Sequence, residues 1–301
     1  MCHVIVDLLQ FMTVQDVSEL FKISWGTIKN IDKEYLQKHY SKPVLKDVEF
    51  IAIDEFAFQK GHKYQTVVYD LKAGRVIYVG PGRAEESLDK FWKRVKLSGI
   101  NIKAVAMDMW LPYFNAVISN IPQAKIVFDR FHIYKLMNQT MDEIRRALYH
   151  DEAFLNNRKV VKGIRWLLLK KAENLNEENN EKEHLEQALQ LNKPLAEAYY
   201  LKEELGQLWL KNNRKEAEKF LKGWIKRAHA TTIVQLRKFA NTLLAHRTGI
   251  LNWFDYRIST GPLEGFNNKI KVLKRKAYGY RDMEYFALKI YALHENRYGL
   301  L

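Results

Sequence analysis

Residues Val48 to Phe58 read VEFIAIDEFAF, an apolar and aromatic run broken by two adjacent carboxylates, Asp54 and Glu55. Such a run suits a strand covered on both faces, where an ionised carboxylate is costly unless a cation or hydrogen bonds compensate it. Asp54 therefore needs a partner. Side chains alternate along a strand, so Glu55 is expected to point away from Asp54, at the surface or behind the site. A second apolar run, Ile102 to Trp110 (IKAVAMDMW), carries Asp108 at its end, and a third candidate acid, Glu264, lies in TGPLEGFNNK from Thr260.

The elements around that stretch set the fold class. Tyr64 to Asp70 (YQTVVYD) and Arg75 to Gly80 (RVIYVG) read as strands with a turn at Ala73-Gly74, which predicts an antiparallel meander with the first strand. Leu88, Phe91, Trp92 and Val95 then recur at helical spacing, followed by the strand ending at Asp108, a short helix near Tyr113 to Asn120 and a strand over Ala124 to Phe128. Three strands, helix, strand, helix, strand is the order of an α/β ribonuclease H-like core built on a mixed sheet. Reactive groups in such open sheets gather at the carboxyl ends of strands, where Asp108 falls.

The chain then leaves the sheet pattern. Residues 150–250 read as helix throughout, predicting an all-helical insertion domain between core parts 45–149 and 251–301. Within it, LEQALQLNKPLAEAYYLKEELG resembles a single tetratricopeptide unit, but no second copy recurs at that period, so a repeat array is excluded. Trp166 and Trp224 have the chemistry to stack on a flipped base, although core packing suits each better. Residues 1–44 are expected to form a helix-turn-helix and linker. Ser24 is placed to cap the second helix, and Thr27, Lys29 and Asn30 to meet DNA.

A chain of 301 residues, 47% hydrophobic and 13% aromatic, is long and apolar enough for a sizeable core. Its net charge of +14 favours a polyanionic partner. Lys211 to Leu301 holds 19 basic against 7 acidic residues, whereas Lys171 to Leu210 holds 4 against 9. That asymmetry points the C-terminal part toward phosphate and favours nucleic acid over an anionic membrane. Cys2 is the single cysteine, so an internal disulfide and a cysteine-rich zinc site are both ruled out within this sequence. The apolar N-terminus lacks a basic leader and carries Asp7, a poor match to a signal peptide, and no run is long enough to span a membrane. The expectation is a cytoplasmic, nucleoid-associated protein with no membrane and no small-molecule substrate.

Phosphodiester cleavage needs a nucleophile made from water or a 3′-hydroxyl, and charge compensation on the attacking and leaving oxygens. Two Mg²⁺ ions about 3.5–4 Å apart supply both, with Mn²⁺ as a substitute. Magnesium takes hard oxygen ligands and retains waters, so Asp54, Asp108 and Glu264 suffice as ligands without a histidine cage. Pro262 suits the opening of a helix in which Leu263, Phe266, Ile270 and Leu273 form the buried stripe, leaving Glu264, Asn267, Asn268, Lys271 and Arg275 on other faces. An acid followed by amides, with Asn268 as candidate support for the active site, and then by Lys271, Lys274 and Arg275 suits a helix whose start meets metal and whose remainder tracks a DNA backbone.

IAIDEFAF, AVAMDMW, IVFDRFHIYKLMNQ, GIRWLLLKKAENL and STGPLEGFNNKIKVLKRKAYGYRD together resemble transposases of the ISL-three family of bacterial insertion sequences, over nearly all of residues 12–295. The resemblance implies a DDE transposase that hydrolyses element ends and transfers the strand to target DNA, with Asp54, Asp108 and Glu264 as the acids. It implies double-stranded DNA as partner, and a homodimer or higher oligomer to hold both ends. It also implies that Asp129 and His132 form an Asp-x-x-His signature near the active site, although Asp129 could equally cap the helix that follows. Members usually begin with a cysteine-rich zinc module, and with Cys2 alone this sequence reads as a copy without it. A non-catalytic DNA-binding repressor, or a nuclease or resolvase on the same core, are the alternatives.

Overall fold

The computed structural model describes residues 1–59, 63–150 and 163–294. The chain divides into two compact units, Met1–Ile126 with Ile258–Leu301, and Val127–Arg257.

The first unit opens with α1 (Cys2–Leu8), α2 (Val14–Phe21) and α3 (Trp25–Tyr40). Thr13 and Asp16 form a reciprocal capping box at the start of α2. Lys22 turns the chain in the left-handed region at φ 53°, and Ser24 accepts the Thr27 backbone N–H to start α3. Ile5, Leu9, Val17 and Ile28 bury their side chains together, giving these helices a small core of their own.

Strands β1 (Phe50–Gln59), β2 (Lys63–Asp70) and β3 (Arg75–Pro81) follow. The turn between β2 and β3 places Gly74 at φ 71°, where a residue without Cβ is unstrained. A 3₁₀ turn over Glu85–Leu88 leads into α4 (Asp89–Ser98), then come β4 (Ala104–Met107), α5 (Leu111–Asn120) and β5 (Lys125–Phe128). The five strands form one mixed sheet in the order β3-β2-β1-β4-β5. β1 pairs antiparallel with β2, and β2 with β3, while β1 and β4 run parallel. The expected meander and α/β class are therefore present.

The described elements from Arg130 to Tyr256 are all helical: α6 (Arg130–His150), α7 (Arg165–Leu169), α8 (Glu181–Gln190), α9 (Lys193–Gly206), α10 (Arg214–Ala230), α11 (Val234–Ala245) and α12 (Arg247–Tyr256), with short 3₁₀ turns between. The part of the expected helical stretch that falls on 151–162 lies outside the described residues. Trp224 is fully buried, its indole N–H donating to the Leu201 carbonyl at 2.8 Å and its ring meeting Phe239 edge-on, so it serves the core of this unit. Trp166 is exposed.

The chain returns to the first unit with α13 (Gly261–Lys276) and α14 (Met283–Ala292). Leu263, Phe266 and Ile270 of α13 and Phe286 and Ile290 of α14 pack with Ala52 and Phe56 of β1, Val67 and Tyr69 of β2 and Ala106 of β4. Those helices therefore cover one face of the sheet. On the other face Phe91 of α4 lies against Tyr78, and Tyr113 of α5 shares a hydrogen bond with Thr66. No helix among the described residues is long and apolar enough to cross a membrane.

Candidate active site

The period of two along β1 decides where its acids point. Ala52 and Phe56 face α13 and α14, so Asp54 between them shares that face. The parallel ladder pairs Ala52 with Ala106; Asp54 stands two residues farther along β1, and Asp108 two residues past Ala106, just beyond the end of β4. Ala106 belongs to the same packed layer, so Asp108 lies on the α13 side as well. Its carboxylate is held by the Trp110 backbone N–H at 3.0 Å, a local turn that fixes the end of β4.

α13 brings the third acid. Glu264 sits in its first turn, and Asn267, one turn farther on, is only 6% exposed. The Asn267 side-chain NH₂ donates to Asp54 Oδ2 at 2.8 Å, tying the helix to the strand at the acid itself. Sequence reasoning set Asn267 off the buried stripe, on the faces that also carry Glu264, and chose Asn268 as site support. The buried row instead runs 263, 266, 267, 270, the i, i+3, i+4, i+7 pattern of a helix face, and Asn267 falls inside it. Asn268 is exposed and accepts a hydrogen bond from Lys271 at 3.4 Å.

Burial raises the Asp54 carboxyl from its ordinary 3.8 to about 7. The Glu55 backbone N–H works against the rise, and the carboxylates of Glu55, Asp108 and Glu264 add to it. Acids that are 54 and 156 residues apart along the chain thus act on one another within a single unit. Among the described residues, no three His, Cys, Asp or Glu side chains stand close enough to cage an ion as they are positioned. The donors that do gather are hard oxygens, and the Asn267 Oδ1 beside them is buried without a hydrogen bond. This chemistry fits a hard divalent cation, whose charge would offset the burial and the neighbouring carboxylates that raise Asp54.

Glu55 points to the opposite face, as alternation requires, but it is not a surface residue. Its side chain is 20% exposed and lies 4.0 Å from Arg83. It also faces Tyr113, whose phenol is pushed far up by burial and then by the Glu55 charge. The sequence expectation left the surface and a place behind the site both open, and the cover of α5 over that face selects the second.

Other expected residues are placed as follows. Thr27 is engaged in the Ser24 cap, and Asn30 is exposed. Lys29 pairs with Asp282 at 2.8 Å. Lys271 and Arg275 are exposed on α13, with Lys274 partly so. Asp129 and His132 belong to the second unit. There Asp129 is buried and accepts the Phe131 backbone N–H at 2.6 Å, the position of a cap on α6, while His132 stands edge-on to Phe131.

A mixed sheet that presents two strand acids toward a helix bearing a third is the arrangement expected of a DDE enzyme, and comparison with known proteins agrees. Residues 51–290 match the ISL3 (ISL-three) family of DDE transposases, described as "Transposase". The chain belongs to that family, and its function is that of an insertion-sequence transposase. It is 38% identical over 291 residues to the transposase for insertion sequence element IS1001 of Bordetella parapertussis, an overlap of 95% of this chain and 70% of the relative. It is 26% identical over 293 residues to the transposase for insertion sequence element IS1557 of Mycobacterium tuberculosis, covering 88% of this chain and 65% of that protein. A further match, 51% identical over 47 residues to a Lactococcus lactis protein named ATP-dependent protease, spans 16% of the chain and is too short to bear on its activity.

Proposed function

We propose that the chain hydrolyses phosphodiester bonds at the ends of its element and joins the freed 3′-hydroxyl to target DNA, with Asp54, Asp108 and Glu264 as the catalytic carboxylates. The observation that carries this reading is the Asp54 carboxylate, bound by Asn267 and raised by burial and by the other two acids. The same three residues would hold two Mg²⁺ ions, or Mn²⁺ in their place, which when bound supply Lewis-acid activation of the attacking oxygen and charge compensation at the leaving one.

The chain's own groups prepare that site. Asn267 fixes the direction of the Asp54 carboxylate, and the Trp110 N–H fixes that of Asp108. Hydrophobic packing of Leu263 and Phe266 against Ala52 and Phe56 sets the distance at which Glu264 approaches the strands. Lys271, Lys274 and Arg275 continue along α13 from the acid and suit phosphate contacts on double-stranded DNA. The β3-β2-β1-β4-β5 order, with its antiparallel and parallel halves, supports a ribonuclease H-like core. The left-handed turn at Lys22 between two capped helices supports a helix-turn-helix, with Thr27 and Asn30 at its exposed start. Holding two ends at once calls for a homodimer or higher assembly on DNA, in a cytoplasmic, nucleoid-associated setting.

The test is Asp108→Asn with a duplex carrying an element end. Mg²⁺-dependent cleavage should disappear while DNA binding stays within about twofold of the parent, the behaviour of an interaction made in the transition state. Retained cleavage would remove Asp108 from the site.

A further inference from the structure

The second helix of the N-terminal pair, α3, does not stand free of the sheet. Along one side it is fastened to α14 by a polar seam. At the centre of the seam Asp32, 2% exposed, accepts the Tyr285 hydroxyl and lies 2.5 Å from the Lys289 ammonium. Lys29 and Lys33 both reach Asp282, at 2.8 and 3.0 Å, and Lys33 also reaches Glu284 at 2.8 Å. Leu36 packs on Tyr285 and Leu288 between these polar groups.

The opposite side of α14 is built into the catalytic layer. Phe286 and Ile290 share the core that holds Ala52, Phe266 and Ile270, and the Tyr291 hydroxyl accepts the Val79 backbone N–H at 2.9 Å. One ten-residue helix therefore touches α3 on one side and, on the other, both the strand bearing Asp54 and the helix bearing Glu264.

A buried ion pair is a poor source of stability, because desolvation offsets most of its attraction, and its best-attested use is to fix register. An apolar seam between α3 and α14 would tolerate sliding by a fraction of a turn. A seam in which Asp32 must meet both Tyr285 and Lys289 does not.

We infer that α14 is a registering strut, and that Asp32, Tyr285 and Lys289 are positioning residues that set the span between the DNA-reading start of α3 and the catalytic acids, and hence the phosphodiester that is cut. The inference rests on the proposed function for its DNA and its acids. It assigns Lys29 and Lys33 to this seam and leaves the exposed Thr27 and Asn30 to face DNA.

The test uses the full chain with Cys2→Ser as background and an end duplex read at nucleotide resolution. In the first arm Lys289→Met breaks the central pair. Binding is expected within about threefold of the parent, with nicks spread over neighbouring positions where the parent cuts at one. A single nick at the parental position, at the parental rate, overturns the inference, since a role confined to packing would leave the position unmoved. If Lys289→Met does not fold, Asp282→Ala with Glu284→Ala, which frees the outer lysines, is read in the same way.

In the second arm Lys33→Cys and Glu284→Cys are joined by a short bismaleimide or a disulfide. The locked protein should cut at the same position and rate as its unlinked form. Loss of cutting that returns on reduction of the disulfide would show that α3 must leave α14 to act, and would overturn the inference. Absence of cutting by the background protein itself would count against the proposed function and not against the strut.

Discussion

Asp54→Asn should make the metal-free protein more stable at alkaline pH while abolishing its chemistry. The Asp54 carboxyl is raised from 3.8 to about 7 by burial and by neighbouring acids. Between those values the folded chain holds a proton that the unfolded chain has released, so stability falls as pH rises through this window and levels off above about 7. Every tenfold gain in proton affinity is worth about 1.36 kcal/mol, which sets an upper figure of about 4 kcal/mol for the charge penalty. Asp54 is partly open to solvent. Screening should therefore leave roughly half of that figure, about 2 kcal/mol. Asparagine cannot ionise, fills nearly the same space and still offers Asn267 an acceptor. Urea denaturation of parent and variant in EDTA, at about pH 5 and about pH 8, isolates the effect as a difference between the two proteins. The variant should gain about 1.4 kcal/mol over the parent on going from the lower to the higher pH, because only about two of the three pH units of that window lie above pH 5, and millimolar Mg²⁺ should restore the parent without helping the variant. A variant that is less stable than the parent at the higher pH, or a difference that does not change with pH, would refute the reasoning.

Three further outcomes follow from the same geometry. Asn267→Ala removes a hydrogen bond to a charged group worth about 1.5–3 kcal/mol, so cleavage should slow by roughly tenfold to hundredfold. Asn268→Ala should change it little, as single-turnover assays on one end duplex would reveal. Asp129→Ala should lower the stability of the second unit by about 1 kcal/mol through loss of a helix cap, read by thermal unfolding. A folded Asp129→Ala protein that binds DNA but does not cut it would instead place Asp129 in the chemistry. Trp224→Ala should cost about 3–5 kcal/mol as a buried aromatic, whereas Trp166→Ala should stay within about 0.5 kcal/mol; equal losses would contradict the burial assigned to them.

Much of the sheet was legible from local pattern. Alternation around Asp54, the Ala73-Gly74 turn and the apolar run before Asp108 each report on a strand through its own residues, and the structure extends or trims them by one or two positions. Pro262 and the stripe from Leu263 likewise announced α13. What the sequence did not disclose depends on which surface meets which. Asn267 falls off the stripe when it is drawn through Leu273, and joins the buried face once the 263, 266, 267, 270 row lies on the sheet. Glu55 obeys the period of two, but only the cover provided by Tyr113 makes its face an interior one. Lys29 has the position of a DNA contact on a helix wheel, yet its partner, Asp282, is 253 residues away. No local signal announces an ion pair of that span.

The central claim is that two strand acids and a helix acid share divalent cations, and anomalous diffraction from the full chain crystallised with an end duplex and Mn²⁺ tests it most directly. Manganese peaks in contact with carboxylate oxygens of Asp54, Asp108 and Glu264 are the predicted result. Peaks elsewhere, with Glu264 more than about 10 Å from both aspartates, would contradict it, because paired catalytic ions sit only about 4 Å apart.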